Sequence, residues 1–314
     1  MKKSHLILLG ILSGVVGSLS IAAYKRYLHD IDYAWRTVLA GSKIADTACG
    51  PIEYAESGRG YPVLVIHGAS GGYDQGLVMA RLHSDIFRCI AISRFGYLRT
   101  PMPEVPSPAA QADAHAAFLD ALRIHNAAVI AGSAGGLSAL HFSLRYPERC
   151  TALVLLSAVS KPLQLRSPSR NVFYGALYHS DFISWLTATL TSPSKTPLPI
   201  IYRGNKSQLS KEDQEWLVDF TQTTQPTSFR RVGMLADIDQ IFNHEPISLE
   251  QISIPTLIVH AVDDGIVPID HAYHAHQHIP GAELLEIPVG GHLLIGQHEF
   301  VKEHVMGFLQ EHCE

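Results

Sequence analysis

Short, uninterrupted apolar runs recur along the chain from residue 52 onward, and each ends near a glycine, proline, serine or aspartate. Runs of this length are typical of buried strands, and several stretches between them have the apolar spacing of amphipathic helices. Alternating strands and helices predict an α/β fold with a mainly parallel sheet covered by helices. The predicted strands are residues 63–66, 89–92, 128–131, 153–156, 256–259 and 284–287.

Residues 161–253 interrupt this alternation with proline-rich stretches and amphipathic patches. This composition favours helices inserted over the sheet, so we expect a cap or lid that divides the core into residues 51–160 and 254–314. The walls of a substrate pocket are expected from this insertion and from residues such as Tyr73 and Phe95.

The amino terminus carries an uncharged apolar run at residues 6–23, flanked by basic pairs at 2–3 and 25–26. The run exceeds the core of a signal peptide, about 7–15 residues, and falls just short of the about 20 residues of a typical spanning helix. We expect residues 1–24 to be a membrane anchor, with a cleaved export signal as the alternative. Basic residues on both sides leave the orientation open. Residues 25–50 are expected to be a polar, partly helical connector.

The overall composition is that of a globular protein, with 46% apolar residues in 314 and a net charge of −5. A basic surface for nucleic acid is not indicated, and nucleic-acid binding is therefore excluded. No C-x-x-C pair occurs, so the sequence indicates neither a zinc site nor a thioredoxin-like motif. The cysteines are Cys49, Cys89, Cys150 and Cys313, of which Cys89 is expected to be buried in a strand.

The predicted strand 128–131 ends abruptly in a serine, Ser133, enclosed by glycine and alanine. A serine on so tight a strand-to-helix turn takes a strained backbone conformation, and only small neighbours fit around it. The N–H of Ala134 is then at a helix start, where donors are unsatisfied and the helix dipole favours negative charge. The segment predicts a nucleophile elbow, and an ordinary glycine-serine turn is the alternative.

A glycine-rich loop at residues 67–72 directly follows the predicted strand 63–66. Such a loop can aim a backbone N–H at a developing oxyanion, and the donor we select is that of Ala69. Together with Ala134 it predicts a two-donor oxyanion hole. A simple turn without a catalytic role is the alternative.

Two later strands also lead into polar residues, at Asp263-Asp264 and at His292. Catalytic groups of α/β sheets gather at the carboxyl ends of the strands. Asp264 is the preferred acid because the chain turns directly after it, and Asp263 is the alternative. The order Ser133, Asp264, His292, each just beyond a strand, predicts a serine, aspartate and histidine triad.

In these four motifs and their order, residues 50–312 resemble the α/β-hydrolase family, specifically its cap-bearing serine esterase-like members. The resemblance implies an eight-stranded, mostly parallel sheet flanked by helices, a helical cap after the sixth strand, and no cofactor. Two positions depart from the family pattern. Ala131 stands where the Gly-x-Ser-x-Gly elbow has its first glycine, and Ser93 replaces the acidic residue after the fourth strand. We expect Ala131 to fit and the loop at Ser93 to be structural, with Arg94 in a salt bridge.

The predicted activity is hydrolysis of an ester of a small or medium organic acyl substrate. Ser133 would attack the carbonyl while His292 accepts its proton and Asp264 orients the imidazole. The same triad serves carbon–carbon bond hydrolases, thioesterases and perhydrolases, because the pocket and not the fold decides the substrate. A membrane-tethered binding protein that has the fold without the chemistry is the alternative from another class.

Three histidines, His271, His274 and His278, fall on one face of the helix expected after Pro268. Their spacing would suit a transition metal, but no carboxylate or cysteine nearby completes a ligand set. We interpret them as an exposed polar helix face and predict no metal.

Overall fold

The computed structural model describes residues 3–81, 86–163, 180–191 and 209–313, and in the first helix it describes side chains from residue 17 on, except that of residue 19. These residues form one eight-stranded sheet with the order β1-β2-β4-β3-β5-β6-β7-β8. The strands are β1 (Lys43–Thr47), β2 (Gly50–Ser57), β3 (Tyr61–Ile66), β4 (Phe87–Ile92), β5 (Ala127–Gly132), β6 (Cys150–Leu156), β7 (Thr256–Ala261) and β8 (Glu283–Ile287).

The sheet is parallel from β4 to β8, and β2 pairs antiparallel with both β1 and β4. The predicted fold class is confirmed, and each of the six predicted strands lies within an observed strand. Strands β1 and β2 form the antiparallel edge and were not predicted as separate strands. In β1 only Ala45 is buried, so it lacks the continuous apolar run of an interior strand. The expected connector, residues 25–50, thus contains β1 as well as helix.

Helices cover both faces of the sheet. In the described residues they are α1 (Lys3–Ala40), α2 (Tyr73–Ala80), α3 (Pro108–Ala121), α4 (Gly135–Arg145), α5 (Asp181–Thr191), α6 (Lys211–Gln222), α7 (Arg231–Asn243), α8 (Asp270–His278) and α9 (His298–His312). The start of α3 follows from its sequence, because the Ser107 hydroxyl accepts the Ala110 N–H and Pro108 occupies the first turn.

Two apolar layers enclose the sheet. Alternate side chains of β3 enter different layers, with Leu64 and Ile66 in one and Val63 and Val65 in the other. Both sets are fully buried, which is why the strand reads as a continuous apolar run rather than an alternating one. Cys89 of β4 is buried in the second layer, as its strand position predicted.

Between β6 and β7, the described parts of residues 161–253 contain α5, α6, α7 and short 3-10 turns. Helix α1 packs on α5, where the ring of Tyr27 meets Trp185 edge-on and the Trp185 indole N–H donates to Asp30 at 3.0 Å. The other end of α1 reaches the core, where the Tyr73 hydroxyl donates to the Val38 carbonyl at 2.7 Å.

Within the described part of the chain, no helix combines the length and the apolar character needed to cross a membrane. Most of the predicted anchor, residues 1–16 and 19, lies outside the residues whose side chains are described. The anchor therefore stays a prediction.

Candidate active site

Ser133 occupies the turn between β5 and α4 at the carboxyl edge of the sheet. Its φ is +50°, a left-handed conformation that non-glycine residues rarely adopt. The turn is crowded, since a Cβ on Gly135 would lie 2.6 Å from the His67 carbonyl oxygen. The small residues around Ser133 are therefore a steric requirement of this turn. Ala131, which stands where the family motif has its first glycine, is fully buried in β5.

The structure brings the three predicted triad residues together. His292, on the loop after β8, places Nε2 3.0 Å from the Ser133 hydroxyl oxygen and Nδ1 2.7 Å from Oδ2 of Asp264, which follows β7. A carboxylate can only accept, so the imidazole carries its proton on Nδ1 and leaves the Nε2 lone pair facing the Ser133 hydroxyl. This is the arrangement in which a histidine can accept a proton from a serine.

The carboxylate of Asp264 has four donors around it. Oδ1 accepts the N–H groups of Ile266 and Val267 at 2.8 and 3.0 Å, while Oδ2 faces His292 and, at 3.2 Å, Nε2 of His260. Burial by itself raises the pKa of Asp264, but His292 and the hydrogen bond from His260 outweigh it and hold the pKa below its ordinary value. Asp264 therefore stays ionised at working pH.

Asp263, the alternative acid, does not contact His292 in this structure. Its Oδ1 accepts the N–H groups of Gly290 and Gly291 at 2.9 and 2.8 Å. These glycines directly precede His292, so Asp263 fixes the loop that carries the imidazole. The two adjacent aspartates thus have different partners. Asp264 binds the imidazole of His292, and Asp263 binds the loop that carries it.

His260 contacts the candidate acid, Asp264, and was not among the residues predicted from the sequence. It lies fully buried in β7, and its Nε2 faces two acceptors, the Val267 carbonyl at 2.9 Å and Asp264. Nε2 must therefore carry the proton and donate. The available signal was a histidine in a mainly apolar strand, one position before its last residue.

The two predicted oxyanion donors are Ala69, on the 67–72 loop, and Ala134, which directly follows Ser133. Within the described residues, neither the Ala69 N–H nor the Ala134 N–H donates to a protein acceptor. Ala134 precedes α4 directly, and the 67–72 loop passes so close that a Cβ on Gly68 would lie 3.0 Å from the Ser133 Cβ. Both N–H groups are thus available to a ligand at this turn.

The 67–72 loop is held by side chains rather than by secondary structure. The His67 ring donates through Nδ1 to the Gly68 carbonyl at 2.6 Å and accepts the Arg94 N–H at Nε2. Burial, together with the charge of Arg94, lowers the pKa of His67 well below its ordinary value, which agrees with this neutral tautomer. The Gly68 N–H donates to Gln75 of α2 at 3.1 Å.

The salt bridge expected for Arg94 is present, and its partner is Asp237 of α7, at 2.7 and 2.5 Å. The preceding Ser93 donates to the fully buried carboxylate of Glu53 at 2.9 Å. A carboxylate from β2 thus lies beside the position where the resembled family has an acidic residue after the fourth strand. The Arg99 Nε lies 2.7 Å from Oε1 of Glu53 and compensates the charge of this buried carboxylate.

A cavity of ≈ 20 Å³ lies beside Ala134, between α4 and α7. Its lining mixes apolar side chains, among them Phe95, Met102 and Leu137, with polar ones such as Gln240. Phe95 lines this cavity. Tyr73 is not part of this lining, because its ring packs between the core and α1.

The three histidines considered for a metal do not share one exposed face. His271 is buried, and its Nδ1 accepts the Ser160 N–H at 3.3 Å, whereas the tilted rings of His274 and His278 lie with their centroids 4.3 Å apart. Over the described ranges, no three histidine, cysteine, aspartate or glutamate side chains are grouped to hold a metal ion.

Comparison with known proteins gives consistent matches. The sequence profile of the alpha/beta hydrolase fold matches residues 61–299. An uncharacterized hydrolase, YcgS, of Bacillus subtilis (strain 168) is 30% identical over 253 residues, covering 78% of this chain and 89% of the relative. The 2-hydroxy-6-oxo-6-(2'-aminophenyl)hexa-2,4-dienoic acid hydrolase of Metapseudomonas resinovorans is 25% identical over 254 residues, covering 78% and 82%.

A solved structure agrees as well. The alpha/beta hydrolase fold protein from Nakamurella multipartita superposes with a TM-score of 0.74 at 27% identity, covering 86% of this chain and 99% of that one. The family match over residues 61–299 includes the loops that carry Ser133, Asp264 and His292.

Proposed function

The chain belongs to the alpha/beta hydrolase fold family, and we propose that it is a serine hydrolase that cleaves an ester of a small or medium organic substrate. The observation that carries this proposal is the hydrogen-bonded line from Ser133 through His292 to Asp264, with contacts of 3.0 and 2.7 Å. Three side chains far apart in sequence meet in the order and tautomer that nucleophilic catalysis needs.

In the first half-reaction, the Ser133 oxygen attacks the acyl carbonyl while Nε2 of His292 accepts the hydroxyl proton. The resulting imidazolium is stabilised by the ionised Asp264. Negative charge moves to the carbonyl oxygen, where the N–H groups of Ala69 and Ala134 receive it. Collapse of this intermediate breaks the ester bond, and the imidazolium donates its proton to the departing alcohol. Ser133 is left acylated.

The second half-reaction repeats these steps with water. Nε2 of His292, neutral again, accepts a proton from water as the oxygen attacks the acyl carbon. The two N–H donors receive the charge a second time, and the acid leaves as Ser133 takes back its proton. We include the helices of residues 161–253 in the proposal as a lid, because α7 lines the cavity next to Ala134.

Carbon–carbon bond hydrolysis is the second candidate, since the relative from Metapseudomonas resinovorans is a hydrolase of a dienoic acid. Its chemistry also needs an acyl carbon held against two donors, but the leaving group is a carbanion equivalent instead of an alkoxide. A substrate panel that pairs acyl esters of graded chain length with a vinylogous diketone separates the two candidates by their kcat/KM values.

The test of the nucleophile is the variant Ser133→Ala. We expect it to fold as the parent does and to lose hydrolysis of short p-nitrophenyl esters by about 10³-fold or more. A fluorophosphonate probe should form one adduct on Ser133 of the parent protein and none on the variant. Unchanged turnover in the variant, or a folded parent protein that forms no adduct, would favour a binding protein over an enzyme.

We also propose that residues 1–24 attach the protein to a membrane. The support is the uncharged run 6–23 with basic residues at both ends and its continuity with the helix that packs on α5. Carbonate extraction of membranes together with amino-terminal sequencing tests this. Recovery in the membrane pellet with residue 1 or 2 at the amino terminus supports an anchor, whereas soluble protein beginning near residue 23 supports a cleaved signal.

A further inference from the structure

The Gly68 carbonyl and the Ala69 N–H belong to the same peptide unit, and this N–H is a proposed oxyanion donor. In a trans peptide the two groups point in opposite directions, so whatever holds the carbonyl also aims the N–H. Two donors hold the carbonyl oxygen, Nδ1 of His67 at 2.6 Å and Nη2 of Arg94 at 3.1 Å. These two hydrogen bonds to the Gly68 carbonyl therefore set the direction of the Ala69 N–H.

The guanidinium of Arg94 is itself fixed. It is buried, its Nε donates to the His67 carbonyl at 2.9 Å, and its two terminal nitrogens donate to the two oxygens of Asp237. A bidentate pair of this kind defines the plane of the guanidinium as well as its distance. Burial alone would lower the pKa of Arg94, but Asp237 reverses this and raises it. The positive charge behind the Gly68 carbonyl is therefore permanent.

Asp237 joins this arrangement to the proposed lid, because it lies on α7. Its Oδ2 also accepts the hydroxyl of Tyr97 at 2.5 Å, and the same hydroxyl accepts the Ser70 N–H at 3.3 Å. In addition, the Gly233 N–H donates to the Gly96 carbonyl at 2.9 Å. The loop of the oxyanion donor and the first turns of α7 are thus one hydrogen-bonded unit.

We propose that Arg94 is a positioning residue for the oxyanion hole: held by Asp237 of α7, it aligns the Gly68–Ala69 peptide and strengthens its N–H as a donor. A cation on the carbonyl polarises the amide, and the N–H then interacts more strongly with an anion. Docking of α7 therefore completes the hole. This inference rests on the proposed serine hydrolase function.

A second buried arginine provides a matched control. Arg230 is fully buried, pairs with Asp74 at 2.6 and 3.0 Å, and donates to the carbonyls of Gly71 and Gln225. It therefore resembles Arg94 in burial and in charge pairing, and it ties the same loop to residues that precede α7. Its hydrogen bonds go to the far end of the loop and not to the Gly68–Ala69 peptide.

The experiment compares Arg94→Met with Arg230→Met, using p-nitrophenyl butyrate turnover and thermal unfolding. For Arg94→Met we expect kcat to fall about 10²-fold with KM within about twofold, the size of effect of one oxyanion donor. Arg230→Met should lower the unfolding temperature similarly while kcat stays within about threefold. A trifluoromethyl ketone, which forms a tetrahedral adduct with the nucleophile, should lose affinity for Arg94→Met in proportion to kcat/KM.

Two further variants keep the test decisive if Arg94→Met does not fold. Arg94→Lys retains a charged donor and should recover part of the lost kcat. Asp237→Asn should lower kcat by about 10-fold, because the amide removes the negative charge beside Arg94 and accepts at only one of the two oxygen positions. Equal kcat losses in the Arg94 and Arg230 variants of equal stability, or unchanged kcat in Asp237→Asn, would overturn the inference. A parent protein without turnover or fluorophosphonate adduct would instead overturn the proposed function.

Discussion

Nε2 of His260 lies 3.2 Å from Oδ2 of Asp264, the same oxygen that His292 engages at 2.7 Å. His260 is fully buried and its ring must donate from Nε2, because both neighbours of that atom are acceptors. It therefore withdraws negative charge from the oxygen that faces the proposed general base. The strength of the interaction between Asp264 and His292 depends on this second histidine.

We expect His260→Leu to move the acidic limb of the kcat/KM profile toward higher pH. Without the donor, Oδ2 carries more charge and favours the protonated, inactive imidazole of His292. His260→Gln can place an amide N–H near the former Nε2 and should restore the limb. A pH profile from 5 to 9 measures this. A limb that stays in place in His260→Leu would show that His260 only fills space.

The adjacent aspartates should differ sharply in their variants. Asp264→Asn replaces the acceptor of the His292 ring and favours the wrong tautomer, so we expect kcat to fall about 10⁴-fold. Asp263→Asn retains an oxygen that can accept from Gly290 and Gly291, so we expect it to lower kcat by about 10-fold or less. Steady-state kinetics of the two single variants test this ranking. The reverse ranking would make Asp263 the acid.

Buried neutral histidines should make the fold sensitive to acid. Burial lowers the pKa of His271 from 6.5 to about 4, with Lys161 adding to the effect and Asp270 opposing it. Below pH 6.5 the unfolded chain binds a proton here that the folded chain does not, so stability falls as pH drops from 6.5 toward 4. Each such group contributes a slope of about 1.4 kcal/mol per pH unit.

The matched variant is His271→Asn, whose side-chain oxygen can accept the Ser160 N–H in place of Nδ1. We expect the free energy of unfolding of this variant, measured with urea between pH 4 and 7.5, to depend on pH with a slope lower by one proton than that of the parent. The buried His115, with a pKa lowered to about 3, is present in both proteins, so its contribution to the difference between their slopes cancels. An identical slope in the two proteins would mean that His271 takes up its proton in the folded state.

Helix α1 should be dispensable only in its first half. Removing residues 1–20 retains the contacts of Tyr27 and Asp30 with Trp185 and should leave activity and unfolding temperature close to the parent. Removing residues 1–40 also removes the Val38 carbonyl that accepts the buried Tyr73 hydroxyl, which costs about 1–3 kcal/mol. Calorimetry on both truncations measures the difference. Equal stability of the two truncations would show that residues 21–40 contribute nothing to the stability of the fold.

Local patterns in the sequence predicted the strands at the centre of the sheet and the residues at their ends. A strand buried on both faces must be apolar throughout, and the turn at Ser133 accepts only small neighbours. These are constraints on neighbours in the chain, so they are visible along it. The edge strand β1 is short and exposed on most of its residues, and it carries too weak a pattern to be recognised.

The order of Ser133, Asp264 and His292 along strand ends was therefore enough to nominate the site, because parallel strands bring their carboxyl ends to one edge. Which aspartate meets His292, the donor role of His260 and the pairing of Arg94 with Asp237 were decided by the tertiary structure. Each depends on side-chain direction across segments that are far apart in sequence. Periodicity carries no information on such directions, since distance and angle between distant groups exist only after packing.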